Sequence, residues 1–355
     1  MVHRFHPFGG GAFACAVLLL LAGCSPRKTG EEQGTALQEE DIQIGLSFDS
    51  FVIERWMRDR DVFVSTAQSL GAQVNVQIAN GDVEEQISQI EYFISKDMDV
   101  IVIIAIDGDA LTDVVRKAKE EGIRVISYDR LIPNAGTDLY ISFDNYRVGV
   151  LMGEALQEAL PEGGNIFAIY GSPTDHNVEL VQQGLAEALE DSELKIVYEA
   201  YCENWLAELA FDAVNEGLEQ ETDIAGVMCG NDDLASQAIK ALAEHQMAGK
   251  VTVVAQDAEL SACQRIVEGT QEMTVYKPVD ELAKKAAQLA VSLAEGEDIT
   301  GTGAKLRVTD TVYDGTQDIP YYSIEPVAVT AENMDEAIID SGFHLEEDVY
   351  LNVRQ

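Results

Sequence analysis

The sequence predicts an α/β protein built as two doubly wound parallel-sheet lobes joined by a multi-strand hinge. Three observations predict it. Short apolar, β-branched runs alternate with segments of helical period along most of the chain. The alternation restarts near residue 146, which gives two consecutive βαβ series. A polar cluster follows most of the apolar runs. Ile123-Arg124-Val125-Ile126 leads to Asp129-Arg130, Asn165–Tyr170 to Asp175-His176-Asn177, and Ala225–Met228 to Asn231-Asp232. Val251–Val254 leads to Asp257 and Met273–Tyr276 to Lys277. In open parallel sheets ligands bind beyond the carboxyl ends of the strands. The pattern therefore collects carboxylates, amides and cations in one wet cleft.

Asp41–Phe48 reads as a strand and Glu54–Leu70 as a helix. Gln73–Ile78 is a strand closed by the turn pair Asn80-Gly81. Val83, Ile87, Ile90 and Ile94 recur at helical spacing behind Asp82, a fitting N-cap. Val100–Ala105 is apolar throughout, the type of strand buried on both faces of a parallel sheet. Helix Leu111–Glu121 stops at Gly122, and strands Ile123–Tyr128 and Leu139–Phe143 end the first series. The second series has helices over 146–160, 176–190, 205–219, 232–246, 259–268 and 279–295. Strands over 165–170, 194–201, 223–229, 251–256 and 272–276 separate them. Beyond residue 300 the period weakens into glycine-containing loops and short extended pieces. The expected lobes are 41–145 plus about 278–303, and 146–277 plus about 304–350.

The first 23 residues read as a leader rather than fold. Phe13–Ala22 is an apolar run of about ten residues, too short to span a bilayer. It ends Leu21-Ala22-Gly23-Cys24, a lipobox-like sequence that predicts cleavage before Cys24 and lipid on its thiol. The polar residues after Cys24, up to residue 40, then form a stalk. The expected location is extracytoplasmic, with membrane attachment through lipid alone.

Net charge is −40, from 63 acidic and 23 basic residues. That excludes nucleic acid as a partner, because phosphate contacts need clustered Lys and Arg. Acids such as Glu187, Glu190, Asp191 and Glu193 read as a solvated, self-repelling surface; adaptation to high salt has the same signature. Cys202, Cys229 and Cys263 show no C-x-x-C spacing, and His176, His245 and His344 no metal-site spacing, so no metal and no cofactor is expected. The motifs G-x-S-x-G, H-E-x-x-H, G-x-x-x-x-G-K-[ST] and G-x-G-x-x-G after the first strand are absent. Carboxylates abound, so a two-carboxylate glycosidase stays open on residue type alone.

A binding site for a small polyol accounts for more of these residues. Arg55 and Trp56 sit just after the first strand, and Trp205 just after the strand ending near Tyr201. Flat indoles suit the C–H face of a sugar ring, while Asp, Asn, Arg and Lys serve its hydroxyl rim. Each residue also has a purely structural alternative. Trp56 and Trp205 suit a core, and Arg55 and Arg130 suit surface salt bridges. Asp175, Asp232 and Asp257 suit helix caps. Lys277, a lone cation entering a helix N-terminus, is hardest to explain structurally.

At these residues the chain resembles the periplasmic sugar-binding proteins of ribose-type importers, and among them the D-xylose-binding members. The matching segments are Glu54-Arg55-Trp56 with Asp59-Arg60-Asp61, Ser88-Gln89-Ile90-Glu91, Ser127-Tyr128-Asp129-Arg130 and Tyr140–Asn145. Gly171-Ser172-Pro173, Asn231-Asp232, Gln256-Asp257-Ala258 and Gly269–Pro278 continue the series, which runs to Gly342-Phe343-His344. The resemblance implies a type I periplasmic binding protein fold. It implies sugar contacts at Arg55, Asp129, Arg130, Asp175, Asn177, Trp205, Asn231, Asp257 and Lys277, to which Trp56 is added here. It further implies hinge segments near Asp144-Asn145, near Tyr276–Pro278 and in the 300–320 region. His176, Gly230 and the segment Ala105-Ile106-Asp107-Gly108 depart from the pattern and are expected to edge the cleft, which bears on the identity of the sugar more than on sugar binding. The implied role is a non-enzymatic solute-binding protein delivering a monosaccharide to an inner-membrane ABC permease and its ATPase. The alternative is a sensor domain feeding a chemoreceptor or histidine kinase, and the less favoured one a glycoside hydrolase.

Overall fold

The computed structural model describes residues 41–353; the expected leader, Cys24 and the stalk lie outside the described residues. The first lobe is a sheet in the order β11-β12-β5-β4-β3-β1-β2. Its strands are β1 (Gln43–Phe48), β2 (Gln73–Ile78), β3 (Val100–Ile103), β4 (Arg124–Tyr128), β5 (Leu139–Phe143), β11 (Asp310–Tyr313) and β12 (Asp318–Ile324). All neighbours are parallel except the β11–β12 hairpin. The second lobe has the order β13-β10-β9-β8-β6-β7. It comprises β6 (Gly164–Tyr170), β7 (Leu194–Tyr201), β8 (Gly226–Cys229), β9 (Thr252–Gln256), β10 (Met273–Tyr276) and the antiparallel edge strand β13 (Val327–Val329).

The sequence pattern explains these layers. Every residue of β3 is buried, as a central parallel strand covered on both faces requires. Helices α1 (Arg55–Ser69) and α9 (Val279–Ala294) cover one face of the first sheet, and α2 (Val83–Ser95) and α3 (Gly108–Glu120) the other. In the second lobe, α4 (Asn145–Ala159) and α5 (His176–Leu189) pack as a pair, and α6 (Glu208–Gln220), α7 (Asp232–Glu244) and α8 (Leu260–Glu268) complete the cover. The α4–α5 pair approaches closely because Gly149 and Gly184 face each other's backbones, where a Cβ would collide. Asp82, Asp107 and Asp144 cap α2, α3 and α4 by accepting from Glu85, Ala110 and Arg147 N–H at 3.1, 3.0 and 2.9 Å.

Three details differ from the sequence reading. Strands β11 and β12 join the first sheet, whereas the sequence pattern places residues from about 304 to 350 in the second lobe. The third crossing between lobes therefore lies between β12 and β13, at residues 325–326, rather than in the 300–320 region. The signal was weak because Pro320 interrupts β12, and a proline without N–H argues against a strand with neighbours on both sides. The helix expected over 205–219 starts only at Glu208, because Asn204 and Trp205 take positive φ (52° and 58°) in a 3₁₀ turn. The remaining tail, a π-helical turn at Asp335–Ile339 and α10 (Glu346–Val349), packs on α8 and stays with the second lobe.

Candidate functional site

The carboxyl ends of both sheets face one another across a cavity lined from both lobes, the place where ligands bind in open parallel sheets. Arg55 and Trp56 reach it from the first turn of α1, and Asp129 and Arg130 from the end of β4. Tyr170 and Gly171 enter at the end of β6, Asp175 and Asn177 at the start of α5, and Trp205 from its 3₁₀ turn. Gln256 and Asp257 lie at the end of β9, and Lys277 at the end of β10. Nine of the ten residues expected at the site line this cavity. Asn231 does not. Its Oδ1 caps α7 by accepting from Leu234 N–H at 2.9 Å, behind Gly230, which does line it.

The charges are interleaved. The Arg55 guanidinium donates to both oxygens of Asp59 at 3.1 and 3.2 Å and meets Asp129 at 2.9 Å. Arg130 joins Asp49 at 2.5 Å, Asp175 at 2.7 Å and the Ala105 carbonyl at 2.8 Å. Lys277 meets Asp257 at 2.7 Å. None of these is a surface salt bridge: Arg55, Arg130 and Lys277 are 7%, 3% and 6% exposed. The Arg130–Asp175 pair joins the lobes, as do Asn177 Nδ2 to Asp129 at 3.1 and 3.2 Å and Thr174 to the Ile106 carbonyl. The lobes are thus closed on the cavity.

Burial alone would raise the Asp129 carboxyl, but Arg55, Lys277 and Arg130 outweigh it and hold Asp129 below the ordinary carboxylate range. Asp59 and Asp175 go the other way, since burial outweighs Arg55 and Arg130 respectively. For the Arg55 guanidinium the opposing effect of burial is overcome by Asp129, Asp59 and Asp257, which fix its charge. Five carboxylates against three cations leave the site net negative, which repels phosphate or carboxylate ligands and accepts neutral ones.

The structural alternatives resolve individually. Asp175 does cap α5, accepting from Asn177 N–H at 3.0 Å, and also holds Arg130 and the Trp205 indole N–H. Asp232 is not a cap; its carboxylate is buried against Thr274, Gln271 and the Glu259 N–H. Asp257 caps nothing: it sits at φ 101° two residues before the helix boundary, in a region that non-glycine residues rarely occupy. Trp56 is 2% exposed and belongs to the core, with the Arg55 guanidinium 4.3 Å from its ring centroid. His176 stays half-exposed beside Glu179 at the outer rim.

Trp205 is held as a rigid panel. Its N–H donates to Asp175 Oδ2 at 3.2 Å, and its ring lies on Gly171 and Gly230. A Cβ at Gly171 would enter the indole, so Gly171→Ala is expected to displace the ring or cost about 1–3 kcal/mol of stability. A lowered melting temperature with altered tryptophan emission is the readout; wild-type values for both would contradict this packing.

Sequence reasoning did not single out Asn145, Tyr170 and Gln256 as lining residues, or Asp49 and Asp59 as the partners that hold Arg130 and Arg55. Tyr170, Gln256 and Asp49 obey the strand-end rule that found the others, and Asp59 stands four residues after Arg55 on one helix face.

The family described as the periplasmic binding protein domain matches residues 44–298. The D-xylose-binding periplasmic protein of Haemophilus influenzae is 42% identical over 89% of this chain and 94% of its own length. The protein of the same description from Escherichia coli is 40% identical over 88% and 94%. An ABC transporter solute-binding protein from Clostridium phytofermentans, solved with bound β-D-glucose, has a TM-score of 0.76 at 28% identity, covering 86% of this chain and 99% of that one. Two facing lobes with a cleft at their strand ends, together with a family match over most of the chain and near-full-length relatives, make this chain a member of the periplasmic binding protein family.

Proposed function

We propose that the chain is an extracytoplasmic solute-binding protein that captures a monosaccharide, D-xylose, between its lobes and delivers it to an ABC permease. One observation carries this reading: buried polar atoms around the cavity retain hydrogen-bonding capacity. Among the described residues, Gln256 Oε1 and Trp56 Nε1 are buried without a hydrogen-bond partner, and Asp129 Oδ2 and Asp257 Oδ1, each touching one cation, keep a further lone pair. Buried polar groups are normally satisfied. A ring bearing several hydroxyls, each both donor and acceptor, satisfies such a mixed set; an apolar or anionic ligand does not. Trp205 supplies the flat face, and hinge closure buries the ring from both sides. The sugar named for the relatives from H. influenzae and E. coli selects D-xylose.

The same reading makes the protein a binder rather than a two-carboxylate glycosidase, since the cavity carboxylates Asp129, Asp175 and Asp257 each touch a cation. Cys24, behind Leu21-Ala22-Gly23, is the proposed lipid attachment.

The test is a thermal-shift screen of pentoses and hexoses on the form lacking residues 1–24. A ligand at a hundred times its Kd adds about 2.7 kcal/mol, so D-xylose is expected to raise the melting temperature by roughly 5 °C. No shift with any monosaccharide would defeat the reading, and a larger shift with another sugar would replace D-xylose.

A further inference from the structure

The segment Phe343-His344 lies outside the cavity, yet it touches the supports of both members of the Asp257–Lys277 pair. Asp257 and Ala258 are consecutive L-residues at φ 101° and 52°, a backbone that does not hold itself. Asp257 N–H donates to the Val275 carbonyl at 2.8 Å, and Ala258 N–H to Thr274 Oγ1 at 3.0 Å. The Ala258 carbonyl lies 2.8 Å from His344 Nε2. A carbonyl only accepts, so Nε2 carries the proton and donates. Burial lowers the His344 pKa, which favours the neutral ring as that Nε2–H tautomer.

The imidazole is itself braced. It packs on Phe343 with centroids 4.6 Å apart, and Phe343 packs on Tyr276 at 4.8 Å. Tyr276 immediately precedes Lys277. The same Phe343 ring lies 4.4 Å from the guanidinium of Arg58, whose Nη1 donates to the Phe343 carbonyl at 3.0 Å. Arg58 belongs to α1 of the first lobe, one turn from Arg55, and is fixed by Asp280 at the start of α9. One dipeptide thus contacts the backbone after Asp257, the residue before Lys277 and the helix that carries Arg55.

We infer that His344 and Phe343 are positioning residues, holding Asp257 and Lys277 in ligand-ready geometry and tying that geometry to α1 of the opposite lobe. The inference rests on the proposed sugar-binding role of that pair. In it, His344 sets the Asp257–Ala258 backbone, and Phe343 lets lobe closure through Arg58 bear on the same pair.

The test compares His344→Ala and His344→Gln with wild type by calorimetric titration of D-xylose and by amide hydrogen exchange. His344→Ala is expected to weaken sugar binding about tenfold, the worth of one buried hydrogen bond. It should also speed exchange over 256–260 about tenfold while leaving β6 at its wild-type rate. His344→Gln, which keeps an N–H at similar reach, is expected to restore both to within about threefold. Wild-type exchange over 256–260 in His344→Ala, or His344→Gln as impaired as the alanine variant, would overturn the inference. If wild type binds no sugar, the proposed function fails, while the exchange comparison still decides the role of His344.

Discussion

Lys277→Ala and Asp257→Ala are each expected to weaken monosaccharide binding by tenfold to a hundredfold while the fold persists. The two side chains meet at 2.7 Å and are 6% exposed, so they are a charge pair removed from water. Asp257 Oδ1 nevertheless keeps a further lone pair, so the pair keeps capacity for a ligand hydroxyl. A hydrogen bond to a charged group is worth about 1.5–3 kcal/mol, which converts to about one to two orders of magnitude in Kd. Each single variant also strands a buried charge, and breaking such a pair costs up to about 3–5 kcal/mol of stability. Those two losses must be separated. Replacing both partners at once by apolar residues of similar size is often near neutral for stability. The double variant Lys277→Met/Asp257→Leu is therefore expected to melt closer to wild type than either single variant and still fail to bind. Calorimetric titration with D-xylose, beside urea unfolding of all four proteins, measures both quantities. Unchanged affinity in both single variants would remove the pair from the site. A double variant that binds normally would reduce the pair to a structural role.

Much of this site was legible because one rule of open α/β sheets acts locally. A polar residue straight after a buried β-strand must lie at the strand's carboxyl end, and that is where Asp129, Asp257 and Lys277 are found. The same rule, applied without regard to residue type, would have added Tyr170 and Gln256; their amphipathic side chains made them read as strand. What sequence could not carry was the pairing. That Arg130 would span to Asp49, Asp175 and the Ala105 carbonyl depends on three separate chain segments meeting across the cleft. The fold was readable wherever apolar period was strong, as in Val100–Ile103, whose four residues are all buried. It was not readable at β11 and β12. These are short, partly exposed and interrupted by Pro320, and they are placed by the exposed edge of β5 rather than by their own pattern. The Asn231–Asp232 step shows a finer limit. Either residue makes a good cap, and the choice fell to Asn231 because Asp232 is claimed by Thr274 and Gln271.

That claim on Asp232 has a consequence for pH. Asp232 is fully buried and Glu259 is 6% exposed, with the Glu259 N–H on Asp232 Oδ2 at 3.1 Å. Burial first raises both carboxyls. For Glu259 the charges of Asp232, Asp233, Asp257 and Glu54 add to it, while Thr274, Gln271 and Arg265 only partly relieve Asp232. The folded pair therefore binds protons that an unfolded carboxylate, with a pKa of about 4, has already lost. The sign follows from linkage: stability is full below that value and is lost as pH rises toward the raised folded pKa values. The useful window is about pH 6.5–8, above the ordinary histidine value and below the ordinary thiol value. His344 and the buried Cys202, Cys229 and Cys263 begin to titrate at its two edges, but alike in wild type and in a Glu259 variant, so they cancel in the difference between the two. Wild type is expected to lose up to about 1.4 kcal/mol per pH unit for each excess proton held. Glu259→Gln keeps the shape and removes the ionisation. It should flatten that slope and exceed wild-type stability at pH 8, with little difference at pH 5. Urea unfolding at half-unit pH steps decides it: parallel curves for the two proteins would show that Glu259 is ionised in the folded state and that the carboxylates around it are compensated from elsewhere.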